Sequence, residues 1–350
     1  DPYEFVGVLQ GEDMLAVQRN RMLKSLSSQL RENGNLDKAV RDALQQQADG
    51  ASVAWPAFEA KLCDLGGATR FLDDFRVLLD QFMDITFSGQ RLVEQPTQLL
   101  QTVLELASKQ KEQCEADGSG GASSARDLEQ RLLDAVGSSR QDEAREVVRL
   151  GRLSWRLRDD DNILVAKLES QLLRALQMAA ARLQQAGRLN RDAAVDVKSV
   201  DAILAALRGS SNEPISLPLV ETEKVGSRPA DIDETSRQLV GQPASPGFAT
   251  GMARVIREAR DLGAFRAGEV LVCDAIQPMM THVVPLAAAV IERRGGMLIH
   301  GAIIARELGI PCVNGVAHAA ELVTDGLRVT VDGHLGIVTI GEPEFDLELR

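Results

Sequence analysis

His300 lies in the run Arg293-Arg294-Gly295-Gly296-Met297-Leu298-Ile299-His300-Gly301-Ala302-Ile303-Ile304-Ala305-Arg306-Glu307-Leu308-Gly309-Ile310-Pro311-Cys312-Val313-Asn314-Gly315. An apolar strand ends in a glycine pair, a short loop follows, and His300 falls where a helix begins. Gly309 closes that helix, Pro311 prevents its continuation, and Val313 enters another strand. A neutral imidazole is a good nucleophile towards phosphorus. The first turn of a helix offers N–H groups and partial positive charge, and both favour an attached phosphoryl group. Phosphohistidine has a labile P–N bond and can pass its group on. Gly295, Gly296 and Gly301 would let a donor and an acceptor approach closely. A polar residue that merely starts a helix satisfies the same local pattern.

Elements must hold this loop, and the chain divides by texture to supply them. Residues 1–208 read as helices throughout. Leu99, Leu100, Val103, Leu104, Leu106 and Ala107 recur at three and four, as do Leu164, Leu168, Leu172, Leu173, Leu176, Ala179 and Ala180. Residues 117–124 break that texture, either dividing the helical part in two or forming a surface loop. Residues 209–240 carry Pro214, Pro218, Gly226 and Pro229 among Ser and charges, and read as a linker. From Gly241 short β-rich runs alternate with turns, at 251–256, 269–273, 288–291, 327–331 and 335–340. Asp332-Gly333 with His334 marks a hairpin between the last two, and 302–308 is a helix. The C-terminal part is therefore a compact α/β domain, followed by an acidic solvated tail at 344–350.

The helical part holds a second polar cluster centred on Ser154-Trp155-Arg156-Leu157-Arg158-Asp159-Asp160-Asp161-Asn162. Three successive Asp would have to point together to hold Mg2+, and adjacent helical positions do not. No metal site is expected. The run reads as a helix start with an ion-pair network. Its arginines also suit a phosphate or carboxylate, which makes Arg156, Arg158 and Asp160 candidates for acceptor binding. His282, His318 and His334 read as surface or satisfied histidines, although His282 adjoins Thr281.

Composition excludes several classes. Net charge is −12 over 350 residues, so a basic face for nucleic acid is not expected. Aromatic residues are 3%, too few for a stacking platform. Cys63, Cys114, Cys273 and Cys312 are scattered without metal-ligand spacing, which fits a reducing cytoplasm. The longest apolar run, 283–291, is interrupted by Pro285 and is too short to span a bilayer. The chain starts at Asp1 with no charged-then-apolar leader, so a piece of a longer cytoplasmic protein is expected, with no membrane partner. No Walker loop or G-x-G-x-x-G occurs, and Gly118 to Gly121 lacks the Lys.

The His300 stretch resembles the mobile phosphohistidine domain of the PEP-utilising enzymes. That family includes phosphoenolpyruvate synthase, pyruvate phosphate dikinase and rifampin phosphotransferase. Residues 302–315 follow its A-I-x-A-R-E-x-G-I-P-x-V-x-G pattern. Ser245-Pro246-Gly247 with Gly251 follows its S-P-G-x-x-x-G opening, and residues 329–336 its V-T-V-D-G-x-x-G ending. The resemblance covers 241–341. It implies a multidomain α + α/β chain, in which a helical part is joined by a flexible linker to a swivelling β/β/α phosphohistidine domain at 241–343.

The resemblance also implies roles. His300 is the phosphorylated residue. Thr281, in the family's P-x-x-T turn from Pro278, contacts it. Arg306 matches the arginine that faces the phosphoryl group, although six residues along a helix is about 120° around it, so the side chain would have to curl back. A structural ion pair is the other reading of Arg306. Gly295, Gly296 and Gly301 support the phosphate loop. Ile299 stands where the family has Ser, Thr or Cys. Ser88-Gly89-Gln90-Arg91 with Glu94 resembles a G-H-R…E motif of rifampin phosphotransferase-like enzymes, with Gln90 in place of His, and makes Arg91 a further acceptor-binding candidate. Nothing in the sequence resembles the ATP-grasp domain or the pyruvate barrel. ATP and Mg2+ are therefore expected on an ATP-grasp domain or partner subunit, with a small molecule as phosphoryl acceptor. The alternatives are a pyruvate-to-phosphoenolpyruvate synthase lacking its barrel, and a non-catalytic interaction module.

Overall fold

The computed structural model describes residues 7–9, 14–48, 55–65, 67–82, 84, 86–87, 90–94, 96–113, 125–190, 195–209, 215, 217 and 237–341. The expected break at 117–124, most of the linker and the acidic tail at 344–350 lie outside the described residues.

Apolar residues three and four apart build the N-terminal helices α1 (Leu15–Glu32), α2 (Gly34–Ala48), α3 (Trp55–Cys63), α4 (Ala68–Phe82), α5 (Pro96–Gln113), α6 (Ala125–Val136), α7 (Gln141–Gln185) and α8 (Val200–Arg208). α1 is the hub. Its buried face, Ala16, Leu23, Leu26 and Leu30, packs among Phe71, Phe75 and Leu78 of α4 and Leu99, Leu100 and Val103 of α5. The 45 residues of α7 run about 67 Å. The Asp159–Asp161 run therefore lies in mid-helix and does not start one. It serves a start elsewhere: Asp160 Oδ1 accepts the backbone N–H of Leu15 at 2.8 Å, the first residue of α1, whose N-cap Met14 has no side-chain cap of its own. A short hairpin, β1 (Thr86–Phe87) with β2 (Gln90–Arg91), interrupts the helices.

The C-terminal domain is one mixed sheet. Its strands are β3 (Gln238–Val240), β4 (Gln242–Ser245), β5 (Phe248–Ile256), β6 (Val270–Cys273), β7 (Ala289–Glu292), β8 (Cys312–Asn314), β9 (Arg328–Asp332) and β10 (Ile337–Ile340), in spatial order β3-β10-β9-β5-β6-β7-β8-β4. β5 to β8 are parallel and the rest antiparallel. The edge strands β3 and β4 are separated in sequence only by Gly241, so the sheet curls on itself. A Cβ at Gly241 would lie 2.5 Å from the Asn314 carbonyl oxygen, which is why the crossing needs glycine. The expected hairpin turn is present, with Asp332 Oδ1 accepting the N–H groups of His334 and Leu335 at 2.9 and 3.0 Å. β3 and β4 are short, and the three residues of β3 precede the expected domain start.

Strand side chains alternate between two faces. Val270 and Val272 join Ile291, Val313, Val329 and Val331 in a valine-rich core on one face. Leu271, Cys273 and Val290 point to the other face, where, after the single turn α9 (Ala259–Leu262), α10 (His300–Leu308) packs and where one apolar cluster continues into α1, α4 and α5. The sheet domain is thus docked on the helical part. α5 carries the polar contacts of that docking. Lys109 Nζ donates to the carbonyls of Pro285, Leu286 and Ala287 at 3.0, 3.2 and 3.1 Å, and Glu105 accepts the N–H of Ala267 at 3.2 Å. Burial lowers the Lys109 pKa. Lys109→Met is expected to lower the unfolding free energy by about 2 kcal/mol, and to speed amide exchange at Ala287 selectively. Denaturation and hydrogen-exchange mass spectrometry check both.

The start of the linker is tied down as well. Ile215 pairs with Leu189 and, with Leu217, packs against Leu176, Leu183 and Ile203 at the α7–α8 end.

Candidate functional site

β7 delivers the chain to Gly295-Gly296, and α10 starts at His300. Gly296 has φ 136°, a conformation that other residues rarely adopt. The loop is clamped by Asn314, a fully buried side chain on β8. Its Nδ2 donates to the Gly296 carbonyl at 2.8 Å, and its Oδ1 accepts the Gly296 N–H at 3.4 Å. Gly295 and Gly315 approach so closely that a Cβ on Gly295 would lie 3.2 Å from the Gly315 Cα. At the far end Gly309 is left-handed and Ile310 N–H returns to the Ala305 carbonyl at 2.9 Å, a Schellman-type stop.

The N-cap of α10 is Ile299, which makes no side-chain cap. The expected departure at Ile299 therefore leaves the first turn uncapped by its own N-cap residue, and an anion can take that place. His300 is half-buried there. Arg306 does curl back. It is buried, and its Nη1 donates to the Ala244 carbonyl at 2.6 Å while its Nη2 donates to the carbonyl of Met297, in the loop ahead of His300. The guanidinium also lies 5.5 Å from the ring centroid of Trp155 on α7. Around this stack Met14, Trp155 and Ile303 form a small apolar cluster joined by Met297.

Beneath the helix start lies Glu292, the last residue of β7. Period-two alternation puts it on the face of Val290, pointing towards α10, with no solvent exposure. Its Oε1 accepts the Ile276 N–H at 2.7 Å. A Cβ on Gly301 would lie 2.5 Å from the Glu292 Cδ and Oε2, and closer still to Oε1. Gly301 is therefore required by the packing of the carboxyl as well as by access to the histidine.

Residues 265–336 match the family described as PEP-utilising enzyme, mobile domain. The C-terminal sheet domain is related to that mobile domain. Among curated relatives, the uncharacterized phosphotransferase YvkC of Bacillus subtilis is 43% identical over 118 residues, 34% of this chain and 14% of the relative. A probable phosphoenolpyruvate synthase of Archaeoglobus fulgidus is 36% identical over 133 residues, 38% of this chain and 18% of the relative. Phosphoenolpyruvate synthase of Pyrococcus furiosus is 36% identical over 122 residues, 35% and 15% respectively. The chain thus spans less than a fifth of the length of these relatives.

Within the C-terminal domain, Thr281 is buried and its hydroxyl donates to the Pro278 carbonyl at 2.7 Å. The neighbouring His282 is buried with Nδ1 against the Met279 carbonyl. Of the candidates on the helical part, the α7 run is brought to the C-terminal domain through Trp155. Arg156 is half-buried, and Arg158 is exposed on an open groove with Ser154, Asp160 and Asp161. Arg91 lies elsewhere. It is buried, with Nε on Ser170 at 2.9 Å, Nη2 on Asp84 at 2.6 Å and Nη1 on Glu94 at 2.7 Å. Ser170 is fifteen residues from Trp155 along α7, about 22 Å. Asp84 is held below its usual range by Ser170 and Arg91, against its own desolvation, so this is a satisfied ionic network. Among the described residues no group of three or more His, Cys, Asp or Glu is placed to hold a metal, and no helix is long and apolar enough to cross a membrane.

Two buried groups of the C-terminal domain set opposed pH dependences. Burial pushes Glu292 from 4.5 up to about 7. The native state holds that proton more tightly than the unfolded chain, so the stability it contributes is complete below 4.5 and is lost as pH rises through 7. Burial, with Arg19 nearby, pushes His282 from 6.5 down to about 3, so its contribution is present above 6.5 and is lost as pH falls towards 3. The two slopes offset between 4.5 and 6.5. Wild-type protein is expected to lose more stability than Glu292→Gln between pH 4.5 and 7, and less acid sensitivity is expected in His282→Phe as pH falls from 6.5 to 3. Denaturant titrations across that range read both.

Proposed function

We propose that this chain is the phosphoryl-carrying part of a phosphotransferase of the phosphoenolpyruvate synthase type. His300 receives a phosphoryl group originating from ATP, which with Mg2+ is bound on an ATP-grasp domain or subunit. The imidazole nitrogen attacks phosphorus, the bond to the leaving phosphate oxygen breaks, and the imidazole gives up its proton. The group then passes to a small-molecule acceptor. The observation that carries this reading is the start of α10: an imidazole on an uncapped helix N-terminus, after a glycine loop clamped by Asn314.

A donor and an acceptor bound apart require the domain to move, which fits the linker read from the sequence at 209–240. In the docked arrangement Trp155 of α7 meets Arg306 and Met297, on either side of His300 in sequence, so Arg156 and Arg158 are the proposed acceptor-side cations, with Asp160 holding α1 in register beside them. Thr281 and Arg306 act by fixing the turn and the loop around His300. Two relatives are named phosphoenolpyruvate synthases, and the second reading is accordingly pyruvate as the acceptor.

The test is transfer of label from radioactive ATP, in the presence of an ATP-grasp domain. Acid-labile, base-stable label is expected on the protein and absent from His300→Ala. Equal labelling of the two proteins would overturn the assignment.

A further inference from the structure

Glu292 is a buried carboxyl packed against Gly301, the residue after the proposed phosphoryl carrier, and phosphoryl transfer as proposed does not use it. It packs against the Cα of Gly301 on the first turn of α10. Oε1 is held by the Ile276 N–H, and Oε2 is buried with no hydrogen-bond partner among the described residues. Resting on the assignment of His300 as carrier, we propose that Glu292 is a positioning residue whose carboxyl takes up one proton when His300 is phosphorylated and releases it when the group leaves.

The two acidic groups compete for one helix end. An ionised Glu292 and a dianionic phosphoryl group would both draw on the partial positive charge of the first turn, and each disfavours the other. A buried carboxyl with one oxygen unpaired is already poor at holding charge. Its surroundings do not neutralise it. Asp274, at the end of β6, adds negative charge, although it is itself paired with Arg293 and Arg294. Cys273 on β6 and Cys312 on β8 face it as thiols, which burial pushes up and keeps neutral. α10 carries three charged or titratable groups, His300 itself, Glu307 next to its C-terminal end, and Arg306, which is engaged by the carbonyls of Ala244 and Met297. Burial sets Glu292 near 7, so a further negative charge at His300 tips it to the acid at neutral pH. The step is Glu–COO⁻ plus a proton from solvent to Glu–COOH, and the carboxyl makes no bond to phosphorus.

The full chain is treated with phosphoramidate, which donates its phosphoryl group to imidazole with loss of ammonia. Label dependent on His300 is measured from pH 6 to 9 in wild type and Glu292→Gln. Donor titration cancels in the ratio of the two. The ratio is expected to fall above pH 7 by up to about tenfold per pH unit. Label at His300 with a ratio independent of pH would overturn the proton coupling alone. Label that persists unchanged in His300→Ala would overturn the carrier assignment, and the coupling with it. If Glu292→Gln does not fold, the infrared difference spectrum of wild type on phosphorylation at pH 8 decides. A protonated-carboxyl band is expected to appear, and its absence overturns the proposal.

Discussion

Gly301→Ala is expected to destabilise the C-terminal domain by about 3 kcal/mol and to reduce severely the proposed phosphorylation of His300. The added Cβ would lie 2.5 Å from Glu292 Cδ and Oε2. The carboxyl cannot swing aside freely, because Oε1 is fixed by the Ile276 N–H and the side chain has no exposed surface. Either β7 or the start of α10 must shift, and the second option moves His300. Glu292→Ala removes the obstacle. The double variant should therefore recover at least about 1 kcal/mol relative to the sum of the single variants. Denaturation of the four proteins gives the coupling. A Gly301→Ala protein as stable as wild type would mean that α10 does not rest on this carboxyl.

The second large effect is expected for Arg306→Ala. The substitution leaves the buried carbonyls of Ala244 and Met297 without their guanidinium and removes the stack on Trp155. Two charge-assisted hydrogen bonds and one cation–π contact together amount to about 3–5 kcal/mol. Arg306→Lys is expected to recover little, since one ammonium cannot reproduce a planar fork between two carbonyls. Because Met297 belongs to the loop ahead of His300, label at His300 should fall in both variants. Trp155→Leu separates the contributions: it should weaken docking on α7 while leaving the loop bonds and labelling by phosphoramidate intact. Denaturation and label yield on the three variants provide the check. Full labelling of Arg306→Ala would remove Arg306 from the account of the loop.

Much of the C-terminal domain was legible in the sequence because its signals are local. Short continuous apolar runs such as Val270 to Cys273, the Asp332-Gly333 turn and the Gly309-Ile310-Pro311 stop each declare an element within a few residues. Short strands with polar residues carry no such signal, and β1, β2, β3 and the Gln242–Ser245 strand β4 were not foreseen. The run Asp159–Asp161 reads as a cap because Asp favours helix starts, yet the start that Asp160 serves is 145 residues away. Nothing local encodes that pairing. Asn314 occupies a variable position of the motif, and its role as loop clamp depends on β8 lying beside the Gly295-Gly296 turn. Glu292 reads as the charged end of an apolar strand. Only the parity of the strand and the packing of α10 over it turn the carboxyl inwards. Arg306 was recognisable as a residue of the motif, but its partners come from β4, the loop and α7, three distant segments.

The central claim is that His300 carries a phosphoryl group, and peptide mapping tests it most directly. The protein is phosphorylated with phosphoramidate, digested at neutral to alkaline pH, and the modified residue located by mass spectrometry. The expected result is a phosphoryl group on the α10 peptide at His300, lost on acid treatment and absent from His300→Ala. Modification confined to His318 or His334, with the α10 peptide unmodified in folded protein, would contradict the account.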